Sequence, residues 1–166
     1  MKRLMALILL GAPLVGFAAD IPDAAFYKKA AEAGIAEVDA GNLAQQKGNS
    51  QAVKEFGAMM VKDHTAAAEK LKSLAATKNI SLPTSASVGD MANKAKLEIL
   101  SGDTFDKSYI KSQVKAHREA VGLFKKESTS GEDAEAKAFA TATLPRLRSH
   151  LKKINAIATD AGVDTK

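Results

Sequence analysis

Apolar side chains recur at every third or fourth position in four long segments of this chain. That period matches one face of an α-helix, and no segment shows the alternation of apolar and polar residues that a half-buried strand requires. The sequence therefore predicts an all-α fold with four long helices. Their apolar faces are carried by Phe26, Ala30, Ala40 and Ala44; by Val53, Phe56, Met60 and Leu71; by Ile110, Val114, Val121 and Phe124; and by Ala136, Phe139, Leu147 and Ile154.

The connections between these segments indicate how the helices are arranged. Residues 48–50 join the first two and a turn at Gly131 joins the last two, so each pair must lie antiparallel. Residues 79–101 form a longer connection that contains a short amphipathic stretch. Two antiparallel pairs joined by one long crossover have the connectivity of ferritin-like bundles. We therefore predict a ferritin-like antiparallel four-helix bundle with a short extra helix between helices 2 and 3. The inward face of that short helix is predicted to carry Met91, Ala95 and Ile99.

Aspartate residues precede two of the long segments, where they are typical helix caps. Asp23 is the expected N-cap of the first helix and Asp103 that of the third, with Asp106 placed favourably near the positive end of the latter. Pro145 falls inside the fourth helix, where its ring is expected to kink the axis and free the carbonyl of Thr141.

The beginning of the chain has the pattern of a signal peptide. Lys2 and Arg3 precede an apolar run over residues 4–15, and small residues follow, so cleavage is expected after Ala18 or Ala19. The run is too short to span a bilayer comfortably. The pattern therefore predicts that the protein is exported.

We assign residues 1–18 to the signal peptide and residues 19–166 to a single ferritin-like domain of a periplasmic or secreted protein. The chain has no cysteine, so neither disulfides nor thiolate chemistry are expected. No later apolar stretch predicts a membrane anchor. The formal net charge is +5, but lysines alternate with acidic residues and aromatic residues are few, which argues against a nucleic-acid partner. The sequence is compatible with a homo-oligomer, and it gives no indication of which protein partner the chain would bind.

Four ionisable residues stand on the apolar faces of the four predicted long helices. They are Glu37, His64, His117 and His150, and they include all three histidines of the chain. Counted outward from the two short turns, all four fall near one level of the bundle. Because an imidazole or carboxylate buried without partners costs several kcal/mol, we expect these side chains to contact one another, water or a metal ion.

Two interpretations of this cluster remain open. Three neutral imidazoles and one carboxylate suit Zn, Fe or Cu better than Ca or Mg, so the set predicts a transition-metal site. Asp63 is then a supporting group or a surface residue, and Met59 and Met60 are either soft copper ligands or core residues. Alternatively, the cluster is a hydrogen-bonded network without an ion, which fixes the register of the helices in a non-catalytic structural or interaction protein.

Several segments of the chain form a recognisable pattern in their order and spacing. They are residues 37–44, 53–56, 60–65 and 102–109, together with Leu82-Pro83, His117, Leu144-Pro145-Arg146-Leu147 and His150. These segments resemble the family catalogued as Domain of Unknown Function 4142, and the resemblance extends from about Asp23 to Ile157. It implies a bacterial exported protein with a ferritin-like fold; members are often labelled outer-membrane proteins, and the family lends no known activity.

The ligand pattern of di-iron ferritins is absent from this chain. Those proteins carry a Glu-x-x-His pair on each of two helices, whereas Val61 stands three residues before His64 and Leu147 three residues before His150. Ferroxidase chemistry of that kind is therefore not expected. No phosphate-binding loop, zinc-protease motif or nucleophile elbow is present, and an enzymatic role is the weaker hypothesis.

Overall fold

The computed structural model describes residues 23–166, so the predicted signal peptide lies outside the described residues. Within them the chain forms five α-helices and no strand, which confirms the all-helical prediction and the short helix in the crossover. None of the five combines the length and apolar composition that a membrane crossing requires. The helices are α1 (Ala24–Lys47), α2 (Gln51–Thr77), α3 (Val88–Glu98), α4 (Gly102–Ser130) and α5 (Ala134–Asp160).

The four long helices form two hairpins, α1 with α2 and α4 with α5, and α1 also packs on α4 while α2 packs on α5. Hydrogen bonds tie Asn49, between α1 and α2, to the first turns of α4. At the opposite end Lys78, which follows α2, forms an ion pair with Asp133 before α5. Neighbouring long helices are therefore antiparallel, and the connection through α3 runs from the Asp133 end to the Asn49 end.

Two apolar clusters fill the interior, one towards each end. The Phe26 cluster occupies the Asp133 end and includes Phe26, Tyr27, Leu71, Ala75, Phe124, Ala136, Phe139, Leu144 and Leu147. The Phe56 cluster occupies the Asn49 end and includes Ala44, Val53, Phe56, Met60, Leu97, Tyr109, Val114, Ile154 and Ala158. On each long helix the two clusters are separated by one of the polar positions predicted to face inward.

Glycines allow α1 and α2 to approach each other closely at the Asn49 end. A Cβ atom added to Gly41 would lie 2.7 Å from the carbonyl oxygen of Gly57, and one added to Gly57 would lie 2.7 Å from the Cβ of Ala44. Neither position can therefore accept a side chain without a shift of the backbone. This contact fixes how α1 and α2 are placed one turn away from Glu37 and two turns away from His64.

The face that α3 turns inward differs from the predicted one. Met91 and Ile99 are exposed, Ile99 to 84%, whereas Leu97 is fully buried. Lys94 forms an ion pair with Asp39 of α1 at 3.0 Å. The predicted inward face of this short helix was thus wrong, because the burial of Leu97 and the ion pair between Lys94 and Asp39 set the orientation of the helix.

The aspartates predicted as local caps act across helices instead. Asp23 adopts a left-handed conformation with φ of 60° and does not cap α1 with its side chain; its Oδ2 accepts the N–H groups of Glu132 and Asp133, both at 2.7 Å. Helix α4 begins after Ser101, not Asp103. Asp23 thus stands at the predicted N-cap position of α1, but its side chain serves the turn before α5. The predicted cap of α4 was wrong, because that helix begins one residue before Asp103, which lies in its first turn.

Asp106 connects α4 to the turn before α2. Its two carboxylate oxygens accept the N–H groups of Asn49 and Ser50, each at 2.8 Å, and the side chain is buried. Each hairpin thus supplies an aspartate that satisfies the turn of the other, since Asp23 does the same for the turn between α4 and α5. Pro145 is accommodated within a continuous α5; the predicted kink stays a prediction.

Glu127, in the last turn of α4, is a buried carboxyl close to Asp23. Its Oε1 is buried and has no hydrogen-bond partner. Burial, followed by repulsion from the Asp23 carboxylate, raises the pKa of Glu127 to about 7. The Asp133 end of the bundle therefore holds a carboxyl group that titrates near neutral pH.

Replacing Asp106 by alanine is expected to lower the free energy of unfolding by about 1–3 kcal/mol, because two backbone N–H groups lose a charged acceptor. Urea denaturation measures the change. Asp103→Ala is the matched control, since Asp103 is exposed and contacts only the side chain of Asn49. Equal effects of the two substitutions would contradict the proposed role of Asp106.

Replacing Glu127 by glutamine is expected to stabilise the protein increasingly as the pH rises from about 4.5 to above 7. The folded-state pKa lies above the unfolded value, so the stability that protonated Glu127 contributes is lost over this range. Urea midpoints measured at several pH values test this. Glu132→Gln, at an exposed position of the same turn, should not alter the pH profile; a wild-type profile in Glu127→Gln would refute the assignment.

Candidate metal site

A polar layer separates the two apolar clusters, and it contains the histidines predicted from the sequence. His117 and His150 are 1% and 3% exposed, and Glu37 is also buried. His64 is partly exposed as a whole residue, but its Nε2 is buried. On α5, His150 lies one turn from Leu147 of the Phe26 cluster and one turn from Ile154 of the Phe56 cluster.

The three imidazole rings meet in this layer. Ring centroids are 5.9 Å apart for His64 and His117, 5.7 Å for His64 and His150, and 5.5 Å for His117 and His150. One ring nitrogen from each lies within 4.8 Å of one from each of the others. Among residues 23–166, this is the one group of at least three His, Asp or Glu side chains that meets this distance.

Hydrogen bonds on the far side of two rings fix which nitrogen carries the proton. His117 Nδ1 lies 3.0 Å from the carbonyl oxygen of Gln113, and His150 Nε2 lies 2.9 Å from Asp63 Oδ2. A carbonyl and an ionised carboxylate can only accept hydrogen bonds. In neutral rings the proton is therefore on these nitrogens, which leaves lone pairs on His117 Nε2 and His150 Nδ1.

Three of the four remaining ring nitrogens are buried and have no partner in the protein. His64 Nε2, His117 Nε2 and His150 Nδ1 are all buried without a hydrogen-bond acceptor or donor. Unpaired buried polar groups are rare because each costs about 1–3 kcal/mol. A single cation could accept the lone pairs of all three rings at once.

Asp63 orients His150 from a neighbouring helix. Its other oxygen, Oδ1, accepts a hydrogen bond from Arg146 at 2.8 Å. Burial tends to raise the pKa of Asp63, but the hydrogen bonds from His150 and Arg146 outweigh it and lower the pKa. The carboxylate is thus ionised at neutral pH, and it occupies the position behind a histidine that is common in metal sites.

Glu37 lies on the Nδ1 side of His117. Its Oε1 is 3.6 Å from His117 Nδ1, while its Oε2 is buried and has no partner. Burial raises the pKa of Glu37, and His117 and Gln113 offset this only in part. The structure therefore places Glu37 beside the three imidazoles but outside the group whose ligand atoms lie within 4.8 Å of one another.

Burial favours the neutral form of two imidazoles of this cluster, those of His64 and His150. Burial, followed by the proximity of His117 and His150, lowers the pKa of His64 to about 3. Burial also lowers the pKa of His150, although Asp63 acts in the opposite direction. Neutral imidazole is the form that binds metal ions, so protons compete weakly for these donors at neutral pH.

Sequence reasoning did not assign three of the supporting contacts. Gln113 lies one turn before His117, and Arg146 lies one turn before His150. That spacing is the only feature of the sequence that could have identified them as supporting residues. Asp63 was left open as a supporting or surface residue. The methionines considered as copper ligands belong to the core instead: Met60 is buried in the Phe56 cluster, and Met59 packs against it.

A cavity of about 390 Å³ adjoins the polar layer. The three histidines, Glu37 and Asp63 contribute to its lining. Its remaining lining residues are mostly small or apolar, among them Ala33, Ala67, Leu71, Phe124 and Phe139. The imidazoles thus face a space that is large enough for a small ligand.

A family model described as Domain of unknown function (DUF4142) matches residues 16–157. The chain belongs to this family. The match confirms the resemblance seen in the sequence and covers all five helices except the end of α5. A search of the curated proteins found no match.

Solved structures share the fold of this DUF4142 chain at low sequence identity. A DUF305 protein from Streptomyces coelicolor superposes with a TM-score of 0.74 at 16% identity, covering 90% of this chain and 99% of its own. CopM in its Cu(I)-bound form gives 0.70 at 16% identity, covering 85% and 98%. CopM in its apo form gives 0.69 at 14% identity, covering 83% and 96%. At such identity the likeness establishes the fold alone.

Replacing His64 by glutamine in chelator-treated protein is expected to flatten the loss of stability below pH 6.5. The folded-state pKa is depressed, so the contribution of neutral His64 is present above 6.5 and lost as the pH falls towards 3. The wild-type loss attributable to His64 should be about 3 kcal/mol at pH 4. Urea midpoints at several pH values measure it. Thr65→Ala, an exposed neighbour, should keep the wild-type profile, and an unchanged profile in His64→Gln would refute the assignment.

Proposed function

We propose that this DUF4142 protein binds a transition-metal ion through His64, His117 and His150 and handles that ion in the bacterial cell envelope. Sequestration of the metal or protection against it are the roles that such a site serves without catalysis. Glu37 remains part of the proposed site, either as the partner of His117 or as a fourth ligand after a change of rotamer. Asp63 holds His150 in its binding tautomer.

One observation carries this proposal. His117 Nε2 and His150 Nδ1 both present lone pairs to the same buried space, as argued from their partners Gln113 and Asp63. The third ring, His64, carries at most one proton there and cannot donate to both lone pairs. The protein's own groups therefore leave at least one acceptor unpaired beside the cavity, and a cation bound there would accept its lone pair.

The donor set favours Cu, Zn or Fe. Imidazole nitrogens bind these ions well, whereas Ca and Mg prefer oxygen ligands. Copper is the first ion to test because affinities of such sites peak at that metal. The structures of CopM in Cu(I)-bound and Ag-bound forms support this choice by their fold. The ionised carboxylate of Asp63, behind His150, offsets part of the charge of a buried cation.

We also propose that the protein is periplasmic or secreted and that its fold is ferritin-like. The signal pattern of residues 1–18 supports a periplasmic or secreted protein, and the structurally similar DUF305 protein is itself proposed to be secreted. Residues 19–166 then act as one domain. Its two antiparallel hairpins and long crossover support the ferritin-like description.

A structural role for the polar layer is the second candidate. Two of its ring nitrogens are satisfied without any ion, since Gln113 pairs with His117 and Asp63 with His150. Such a network can fix the register of α2, α4 and α5 relative to one another. On this alternative the protein acts through its surface, and the imidazoles bind nothing.

Untagged protein purified from the envelope is expected to contain close to one equivalent of metal by elemental analysis. Because the chain has three histidines and no cysteine, no other imidazole or thiolate competes. Added Cu or Zn should raise the melting temperature of chelator-treated protein through ligand binding to the native state. His117→Ala and His150→Ala should abolish this rise.

Two variants separate the candidates. Asp63→Asn should weaken metal binding about 10–100-fold, as loss of a partner behind a ligand does, whereas Asp39→Asn, which removes a carboxylate paired with Lys94, should not. The metal proposal would be contradicted if the purified protein contained no metal and its melting temperature changed neither with chelator nor with added ion. Destabilisation by His117→Ala without metal dependence would then support the structural alternative.

A further inference from the structure

The cavity beside the histidines extends in one direction only. On α1 its lining runs from Glu37 back to Lys29, and on α2 it runs from His64 on to Leu71. On α4 and α5 it runs from His117 to Phe124 and from His150 back to Phe139. All four directions lead towards the Asp133 end, so the polar layer closes one end of the cavity.

Small residues create this space. Ala33 and Gly34 of α1, Ala67 of α2 and Ala120 of α4 line the cavity where larger apolar side chains would fill a core. A Cβ atom added to Gly34 would meet nothing within 4 Å. Since protein interiors are otherwise close-packed, a space of about 390 Å³ next to buried nitrogen donors is consistent with an accommodated ligand. Known ligand pockets begin at about this size.

The chemistry of the cavity wall is polar at one end and apolar at the other. His117 and His150 are more than nine-tenths buried and direct unpartnered nitrogens towards the site. Leu71, Phe124 and Phe139 provide apolar surface at the far end. Two cationic side chains also line the cavity, Lys29 and Arg146, together with more carboxylates, namely Glu32, Asp63, Asp90 and Glu119. This acidic excess disfavours an anionic ligand, and a cation would be repelled by the metal, so the lining favours an uncharged donor molecule.

We propose that the metal held by the three histidines binds a small neutral ligand as well, whose donor atom completes the coordination and whose apolar body lies in this cavity. The inference rests on the proposed metal function. With Glu37 as the partner of His117 and not a ligand, the three protein ligands leave a coordination position free for an exogenous group, as in metal sites that bind small molecules. An uncharged heteroaromatic nitrogen donor has both features that the cavity wall requires.

The test uses Co(II)-loaded full-length exported protein titrated with imidazole and with 4-phenylimidazole, with binding followed by visible absorption of the ion. The phenyl derivative is expected to bind at least tenfold more tightly, because its ring leaves water for the apolar part of the cavity. The same two ligands titrated against free Co(II) give the intrinsic difference between the donors. Equal affinities for the loaded protein, after that correction, would overturn the inference.

Substitutions of residues that line the cavity test whether the phenyl ring binds there. Ala67→Phe should reduce the advantage of 4-phenylimidazole to less than threefold while one equivalent of Co(II) still binds. Ala66→Phe, at the exposed neighbouring position, should leave the advantage intact. Ala120→Leu on α4 is a second wall variant should Ala67→Phe fail to fold, and it is expected to act in the same direction.

The outcomes distinguish this inference from the proposed function. Normal loading with Co(II) but no preference for the phenyl derivative overturns the ligand inference and leaves the metal function standing. A preference that survives both Ala67→Phe and Ala120→Leu also overturns it, because the ring must then lie elsewhere. Failure of the ion to bind at all overturns both proposals.

Discussion

The desolvation of three imidazoles is the constraint on which the interior of this protein depends. His64, His117 and His150 lie between two apolar clusters, and one nitrogen of each ring is buried without a partner in the protein. Gln113 and Asp63 each fix the proton of one ring on its far side. In the neutral rings His117 Nε2 and His150 Nδ1 therefore carry lone pairs, and both residues line the same cavity as His64. This asymmetry distinguishes the layer from an ordinary buried hydrogen-bond network.

The two hairpins are held together at their ends by a different interaction, in which carboxylates accept backbone N–H groups of the neighbouring hairpin. Asp23 and Asp106 perform this role at opposite ends. Both contacts connect segments that are distant in the sequence, so they fix how one hairpin lies on the other. The level at which His64 of one hairpin meets His117 and His150 of the other is a consequence of that placement.

The similarity to CopM and to the DUF305 protein extends over most of the chain but concerns the fold, since identity is 16% for both. The proposed metal site therefore stands on the chemistry of this chain: neutral imidazoles, fixed tautomers and supporting carboxylates. The adjoining cavity provides room for a second ligand, which storage of a metal ion alone does not require. Small residues such as Gly34 and Ala67 keep that space open.

The sequence by itself determined the helical fold and the long crossover, because helical periodicity and turn residues are local properties. It also determined which ionisable residues face the interior, since an inward position on a helix follows from spacing alone; Glu37, His117 and His150 are indeed buried, and His64 buries its Nε2. Only the tertiary structure decided that three imidazoles converge while Glu37 lies behind His117, that Asp63 reaches His150, and that Asp23 and Asp106 cap another hairpin instead of their own helices. Likewise, Leu97 and Lys94 determine which face α3 turns inward, and the predicted apolar stripe does not. These outcomes depend on distances between helices, and a one-dimensional pattern contains no information on the ångström-scale packing that sets those distances.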